Sequence, residues 1–432
     1  LSTPGCSMEE VWSYVNGLER LGWRFGLERV TKLVEALGSP HRAYRTIHVV
    51  GTNGKSSTTR FISALLEARG HRVGAYVSPH LISLAERQMV NSIPSTDEEF
   101  CDLVARIRPV AAELEKNFAS EERLTQFEVL TAAAFLYFQE QGCDVAVIEA
   151  GLGGRLDATA VISSDVQVVT NIGKEHTEML GDTLSAILQE KAAVIPHNGR
   201  VVSGIVDPTV KTELKEICAA RQAQCHFLGD EFVVLSDARA ESFDVFGLYG
   251  CYTDLRLKVL GSYQRANAAC AVAAAELFVG GGLDEEAVRS ALGRASVPGR
   301  LEVIGTQPLC IFDGSHNPSG MEETMRSLEQ ILERRRLIAV VSILRDKEAE
   351  EMVRHLAPSC DIIFATQSSS PRVMRADELA ATISELEESP EVFVDPDPRS
   401  AMVSAYRLAT SNQVVLVTGS LTLISDLKRG LN

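Results

Sequence analysis

What this chain lacks narrows its class before any motif is considered. Its nine cysteines, at 6, 101, 143, 218, 225, 251, 270, 310 and 360, include no C-x-x-C pair and are odd in number. Neither a zinc site nor a disulfide framework is indicated, and a reducing compartment fits best. No stretch offers the ~18 uninterrupted apolar residues of a membrane-spanning helix. The opening Leu1-Ser2-Thr3-Pro4 lacks a basic region followed by an apolar run, so a cytoplasmic location without membrane association is expected. Positive charge is also short, with 42 Lys and Arg against 58 Asp and Glu, a formal net charge of -16. A surface that binds nucleic acid or anionic lipid needs the opposite excess to neutralise phosphates. Anionic substrates are therefore expected to meet a few locally placed basic side chains.

The 432 residues, 45% of them hydrophobic, can bury more than one core, and two domains are expected. Apolar runs that read as buried strands recur at Thr46 to Val50, Val145 to Ala150, Val166 to Thr170, Leu309 to Asp313, Leu337 to Ile343, Asp361 to Ala365 and Gln413 to Thr418. Helical patterns lie between them, which predicts an α/β protein with parallel sheets. One such helix, from about Ser57 to Arg69, places Phe61, Ile62, Leu65 and Leu66 on one face and stops before Gly70. The pattern breaks at Val297-Pro298-Gly299-Arg300, and a fresh series of strands and helices follows, so the domains are expected at 1-296 and 297-432. Segment 228 to 260, with Phe232 to Leu235 and Leu255 to Leu260 as strand-like runs, reads as an antiparallel insertion closing the first domain.

Three strand ends carry groups suited to phosphate and metal chemistry. In His48-Val49-Val50-Gly51-Thr52-Asn53-Gly54-Lys55-Ser56-Ser57, a strand enters a glycine-rich turn that opens a helix. Backbone amides wrap an anion there, Lys55 adds charge, and Ser56 or Ser57 reaches a magnesium ion. Val49 stands where the usual phosphate-loop pattern has its first glycine. In Val147-Ile148-Glu149-Ala150-Gly151-Leu152-Gly153-Gly154-Arg155-Leu156-Asp157-Ala158-Thr159, Glu149 ends a buried strand and suits magnesium. Leu156 breaks the dinucleotide-binding G-x-G-x-x-G pattern. The third segment, Thr170 to Glu178, holds His176, either a metal ligand or a hydrogen-bonded structural group, and no P-C-x-x-C follows to make a zinc deaminase.

Lys191 falls on the apolar face defined by Leu184, Ile187, Leu188, Val194 and Ile195. Two readings stay open: an aliphatic stem whose ammonium snorkels to water, or a desolvated neutral amine able to take up carbon dioxide as a carbamate. Beyond the break, Pro298-Gly299-Arg300 and Asp313-Gly314-Ser315-His316-Asn317-Pro318 have two readings: ordinary turns, or polar groups that touch a nucleotide.

Taken together in order, these segments resemble the Mur ligase superfamily, most closely its dihydrofolate synthase/folylpolyglutamate synthase branch. The resemblance runs from Phe25-Gly26-Leu27-Glu28-Arg29-Val30 through Gly51 to Ser57, Ser78-Pro79-His80-Leu81, Glu149 to Thr159, His176 and Glu190-Lys191-Ala192. It continues through Gln264, Asn267, Pro298-Gly299-Arg300, Asp313 to Pro318 and Gly419-Ser420-Leu421. It implies an N-terminal P-loop ATPase domain and a C-terminal Rossmann-like domain, closing on each other around ATP. Thr52, Asn53, Gly54, Lys55, Ser56, Ser57, Asn267, Arg300 and Asp313 would bind ATP, and Ser56, Ser78, Glu149 and His176 would hold magnesium. Lys191 would be the carbamylated lysine, and His316 would help position glutamate. Thr125, Gln126, Phe127, Glu128, Arg155, Leu156, Asp157 and Ala158 fall where pteroate or folate is held, Phe127 offering a ring to the pterin.

The activity implied is a cytoplasmic, monomeric ligase that uses ATP and L-glutamate on dihydropteroate or reduced folates, with magnesium and room for a monovalent cation. A carboxylate is a poor acyl donor, and ATP makes it one as an acyl phosphate. This chain departs from the family's usual residues at Tyr263 for histidine, Ala160 for asparagine, Glu175 for aspartate and Ser315 for alanine. The alternatives are a Mur-type ligase acting on another acid, such as a cell-wall precursor, and a P-loop switch without ligase activity. No N-K-x-D guanine signature supports the switch.

Overall fold

A computed structural model of the chain describes residues 7–19, 26–116, 118, 123–236, 241–332 and 335–430. Phe25, the first residue of the resemblance, and Leu1 to Pro4 lie outside the described residues. The strands are β1 (Arg45–Val50), β2 (Val73–Tyr76), β3 (Gln88–Val90), β4 (Ile93–Pro94), β5 (Val145–Glu149), β6 (Val166–Val169), β7 (Arg200–Ser203) and β8 (Gln224–Phe227). There follow β9 (Val233–Leu235), β10 (Phe243–Phe246), β11 (Cys251–Leu255), β12 (Glu302–Thr306), β13 (Leu309–Phe312), β14 (Arg336–Val341), β15 (Cys360–Ala365), β16 (Glu391–Val394) and β17 (Gln413–Thr418). All seven strands read from the sequence are present. The chain divides into two compact units, the first formed by Leu1–Ser236, Ser242–Arg256 and Ala266–Ala295, the second by Asp237–Glu241, Leu257–Arg265 and Ser296–Asn432.

The first unit is built on an eight-stranded sheet in the order β4-β3-β2-β5-β1-β6-β7-β8. Strands β2, β5, β1, β6, β7 and β8 run parallel, and β3 and β4 add an antiparallel edge. Residues Thr46 through Val50 of β1 are buried on both faces, which is what an unbroken apolar run requires of a central parallel strand. β1 pairs with β5 with Val49 beside Glu149, and with β6 with Val50 beside Val169. The turns that leave these three neighbouring strands therefore meet at one edge of the sheet.

The helix after β1 spans Lys55–Ala68, two residues earlier than expected, because Gly54 takes a left-handed conformation (φ 82°) that ends the turn there. Phe61, Ile62, Leu65 and Leu66 are its buried face, each such side chain contributing about 1.5–3 kcal/mol through burial. Strands β9, β10 and β11 form the expected antiparallel insertion. The strand expected at Leu255 to Leu260 is corrected, since β11 ends at Leu255 and residues from Leu257 join the second unit.

The second unit carries a six-stranded sheet, β12-β13-β17-β14-β15-β16, parallel except for β12. Its core joins Leu337, Ala339 and Val341 of β14 to Leu328, Met352 and Leu379 from the covering helices. Among the described residues no helix is long and apolar enough to cross a membrane.

Candidate active site

The turn after β1 is fastened to the turn after β6. A Cβ on Gly51 would collide with Thr170 Oγ1, and Gly51 has a positive φ of 149° that side chains rarely adopt. Thr52 donates its amide to Asn171 O (3.0 Å), and Asn53 donates its amide to Asn171 Oδ1 (2.8 Å). Thr52 Oγ1 bridges Gly173 N and O at 3.0 Å each. Thr52 and Asn53 thus tie the loop together through Asn171 and Gly173, whose part the sequence reading did not identify. The Lys55–Ala68 helix has no side-chain cap at Gly54, so its first amides form the anion-attracting end of the helix dipole. Asn267 lies against this point, its Oδ1 2.5 Å from where a Gly54 Cβ would stand.

Two lysines converge on the loop. Lys55 Nζ donates to Gly51 O (2.9 Å) and Thr52 O (2.8 Å), and Lys191 Nζ donates to the same Gly51 O at 2.7 Å. Lys191 is 3% exposed, so its ammonium does not snorkel to water. Burial first, and then the charge of Lys55, bring its pKa down from 10.5 to about 7, against the opposing pull of Glu175 and Asp157. Its helix is shorter than expected, spanning Leu184–Ala192, with Val194 and Ile195 beyond it.

Glu149, 1% exposed at the end of β5, joins two distant segments. Ser56 Oγ donates to its Oε1 (2.9 Å) and the Ser78 amide to its Oε2 (3.1 Å). Ser57, the other hydroxyl considered, is 3% exposed and turned into the packing, so Ser56 is the serine that meets Glu149. His176 has a left-handed backbone (φ 50°), and its Nε2 lies 3.7 Å from Glu175 Oε1. Among the described residues no three His, Cys, Asp or Glu side chains form a metal-holding group. One carboxylate with hydroxyls is nonetheless the hard-oxygen set that suits magnesium, which takes one or two carboxylates and completes its shell with waters and nucleotide phosphates.

The residues expected near the pterin divide by what their side chains do. Thr125 caps the Gln126–Glu140 helix in a reciprocal box with Glu128, and Glu128 pairs with Arg29 at 3.1 Å while both are nearly buried. Phe127 packs its ring on Gly151, leaving no room for a Cβ there, and tilts against Tyr76 with ring centres 6.1 Å apart. Leu156 is 39% exposed, and Gln126 is half-buried. Arg155 donates Nε to Glu190 Oε1 (2.9 Å) and its amide to Glu190 O (3.0 Å), which anchors it to the helix of Lys191. Asp157 and Ala158 are buried. Asp157 accepts four hydrogen bonds, from Gly151 N, Leu152 N, Thr159 N and Thr159 Oγ1. It holds the turn, and Arg155 and Leu156 are the exposed members of the set, with Thr125, Gln126 and Phe127 half-buried.

In the second unit, Asp313 is fully buried at the end of β13. Its Oδ2 accepts from Leu301 N (2.9 Å) and its Oδ1 from Ser315 N (3.0 Å) and Thr324 Oγ1 (2.9 Å). Gly314 N reaches Gly299 O at 2.8 Å, which fixes the backbone beside Arg300. His316 Nδ1 is 2.9 Å from Gly314 O. A carbonyl only accepts, so Nδ1 carries the proton. The hydroxyl at Ser315 is absorbed by Thr324 Oγ1 (2.7 Å) and Gly320 O (3.1 Å). Tyr263 is held well above the usual tyrosine range by burial first and then by Asp313.

Comparison with known proteins places this geometry in a family. Residues 49–275 match the Mur ligase middle domain, and residues 299–421 the Mur ligase glutamate ligase domain. The dihydrofolate synthase/folylpolyglutamate synthase of Bacillus subtilis is 34% identical, covering 98% of this chain and 99% of that protein. The folylpolyglutamate synthase of Mycobacterium tuberculosis, solved complexed with ADP, matches with a TM-score of 0.92 and 32% identity over 98% of each chain. The bifunctional folylpolyglutamate synthase/dihydrofolate synthase of Yersinia pestis, solved with AMPPNP and a Mn ion, matches with a TM-score of 0.86 and 29% identity over 100% of each chain. With both Mur domains in order and relatives matching over nearly its whole length, the chain belongs to the dihydrofolate synthase/folylpolyglutamate synthase family of the Mur ligase superfamily.

Proposed function

We propose that this chain adds L-glutamate to dihydropteroate and to reduced folates and their polyglutamates, with ATP activating the acceptor's carboxylate as an acyl phosphate. A carboxylate oxygen attacks the γ-phosphorus, the bond to the β-phosphate oxygen breaks, and ADP leaves. The glutamate amine then attacks the acyl carbon, loses a proton, and the tetrahedral intermediate expels phosphate to leave an amide. The observation that carries this reading is the convergence on Gly51 O of Lys55 and Lys191, beside a helix start without a side-chain cap.

Lys55 and the first amides of the Lys55–Ala68 helix hold the γ-phosphoryl group and offset the charge that builds during transfer. Ser56 and Glu149, with Ser78 and His176 from the resemblance, are the residues to hold magnesium. The ion, when bound, draws charge from the phosphate oxygens. Asn267, Arg300 and Asp313 take part in nucleotide binding, Asp313 by holding the backbone at Leu301 and Ser315. Phe127 and Leu156 offer apolar surface to the pterin, and His316 orients glutamate. Lys191 carries the carbamate: a buried amine with a pKa of about 7 is substantially unprotonated near neutrality, and the unprotonated form is the one that adds carbon dioxide. Lys191→Ala is expected to lose activity that a small added carboxylate partly restores. Full activity without rescue would remove the carbamate. A monovalent cation, a monomeric state and a cytoplasmic location complete the reading.

The deciding experiment is phosphate release by the purified protein with magnesium-ATP and glutamate, comparing dihydropteroate, a reduced folate monoglutamate and no acceptor, with mass spectrometry of the products. Release with dihydropteroate and a gain of one glutamate establishes dihydrofolate synthesis. Extension of the folate establishes polyglutamate synthesis. Acceptor-independent release, or none with either acceptor from protein that binds ATP, overturns the folate assignment.

A further inference from the structure

A buried polar chain that the proposed chemistry does not use runs from the middle of β1 to the turn behind Glu149. His48 Nε2 lies 2.8 Å from Thr159 Oγ1, and Thr159 Oγ1 lies 2.5 Å from Asp157 Oδ1. His48 is 1% exposed, Thr159 is fully buried and Asp157 is 6% exposed. Three backbone amides, of Gly151, Leu152 and Thr159, point at the Asp157 carboxylate, so Asp157 is an acceptor throughout. Thr159 therefore gives its one hydroxyl proton to Asp157, and the proton between His48 and Thr159 comes from His48 Nε2. Burial brings the His48 pKa down to about 4, so the imidazole is neutral and holds a single proton at that position.

The turn that Asp157 grips is packed against the chemistry on its other sides. It begins two residues after Glu149. Gly151 lies under the Phe127 ring. A Cβ on Gly154 would stand 2.8 Å from the carbonyls of Glu190 and Lys191, and Arg155 N donates to Glu190 O. The backbone of Lys191 and the carboxylate of Glu149 are thus referenced to one turn, and the turn to one aspartate.

We infer that His48 and Thr159 are positioning residues of the ligase reaction, which act through Asp157 to set the Gly151–Leu152 turn and with it Glu149 and Lys191. The inference rests on Glu149 and Lys191 serving the reaction as proposed above. Neither His48 nor Thr159 touches a reacting group in this arrangement. Their contribution lies in orientation, and a group that orients a metal ligand typically changes activity or metal affinity by about 10- to 100-fold when lost.

The test compares Thr159→Val, which keeps the shape without the hydroxyl, with Thr159→Ser, which restores it. His48→Leu and His48→Gln form a second pair, removing and retaining a donor. Each is assayed for kcat, for KM of each substrate, for the magnesium concentration at half-maximal rate and for melting temperature. Thr159→Val and His48→Leu are expected to lower kcat or raise the magnesium requirement by roughly 10- to 100-fold, leaving KM for glutamate unchanged. Thr159→Ser and His48→Gln should retain most of the activity, with the pH profile around neutrality unmoved. The inference is overturned if Thr159→Val keeps wild-type kcat and magnesium response, if the paired variants do not differ, or if melting temperature falls with no kinetic change. If one removal variant fails to fold, the other pair decides. Glu149→Gln and Lys191→Ala are run alongside: wild-type activity in these would overturn the site reading itself, whereas their inactivity beside a wild-type Thr159→Val would overturn the positioning chain alone.

Discussion

Both units present a strand that ends in a polar turn and opens a helix, and the two turns are held in opposite ways. The turn after β1 is a junction: its partners are Asn171, Glu149, Lys191 and Thr170, all more than ninety residues away. In the turn after β13 the side-chain bonds close on themselves, joining Asp313, Ser315, Gly320 and Thr324 within one short stretch and reaching back only to Leu301, while the backbone ties Gly314 to Gly299 O and Asp313 to Val417 O. A locally closed turn is preset by its own sequence, whereas a junction exists only once the surrounding sheet has formed. Damage at the junction should therefore reach several site groups at once, and damage at the closed turn should stay where it is made.

The sharpest contrast is expected from Lys55→Ala, which should reduce ATP turnover by on the order of 10²- to 10³-fold or more, with the fold intact by circular dichroism. Unchanged turnover would remove the phosphate-binding role. Gly51→Ala comes next, since its positive φ and the nearby Thr170 hydroxyl both oppose a side chain. A stability loss exceeding about 1 kcal/mol is expected in urea titration. Adding Thr170→Ala should recover part of it, and no recovery would place the strain in the backbone alone.

Lys191→Met tests the junction through pH. The amine titrates at about 7 in the fold and near 10.5 when unperturbed. Between those values the unfolded chain holds a proton that the folded chain does not, so stability rises with pH across the window. Below about 7 the native state carries the full disadvantage of a charged amine in a buried place. The methionine variant should thus gain melting temperature chiefly below pH 7 and little above pH 10.5, and an equal gain at all pH values would deny the shift. The smallest effect belongs to Ser315→Ala in the closed turn, about 1 kcal/mol with activity kept. A large activity loss there would show that the closed turn is not self-contained.

The sequence made the strands of both sheets legible where apolar runs were long, as in β1, β5, β14 and β17. It did not reveal β4 or β16, whose residues are mostly exposed and carry no burial pattern to read. Glycine spacing with a lysine and a serine exposed the phosphate loop, because each glycine answers a need visible in one dimension. Asn171 bonding the loop's amides and Thr159 linking His48 to Asp157 were hidden, since nothing in a strand-to-turn pattern tells which side chain will face a neighbour brought by the sheet. Asp157 illustrates the limit from the other side. Its place in a family motif pointed to substrate, and its four donors show a side chain turned inward to hold the turn.

The single carbonyl of Gly51 receives both lysine amines at once, its two lone pairs serving one each, and this makes the two groups electrostatic neighbours. A phosphate arriving at the loop draws Lys55 toward itself and offsets the positive field that lowers the Lys191 proton affinity. Nucleotide and proton then bind with positive coupling, and by reciprocity a protonated Lys191 favours the nucleotide. Carbon dioxide needs the opposite state, an amine without its proton. Under the carbamate reading, the empty loop is the state in which the lysine would be most receptive to carbon dioxide.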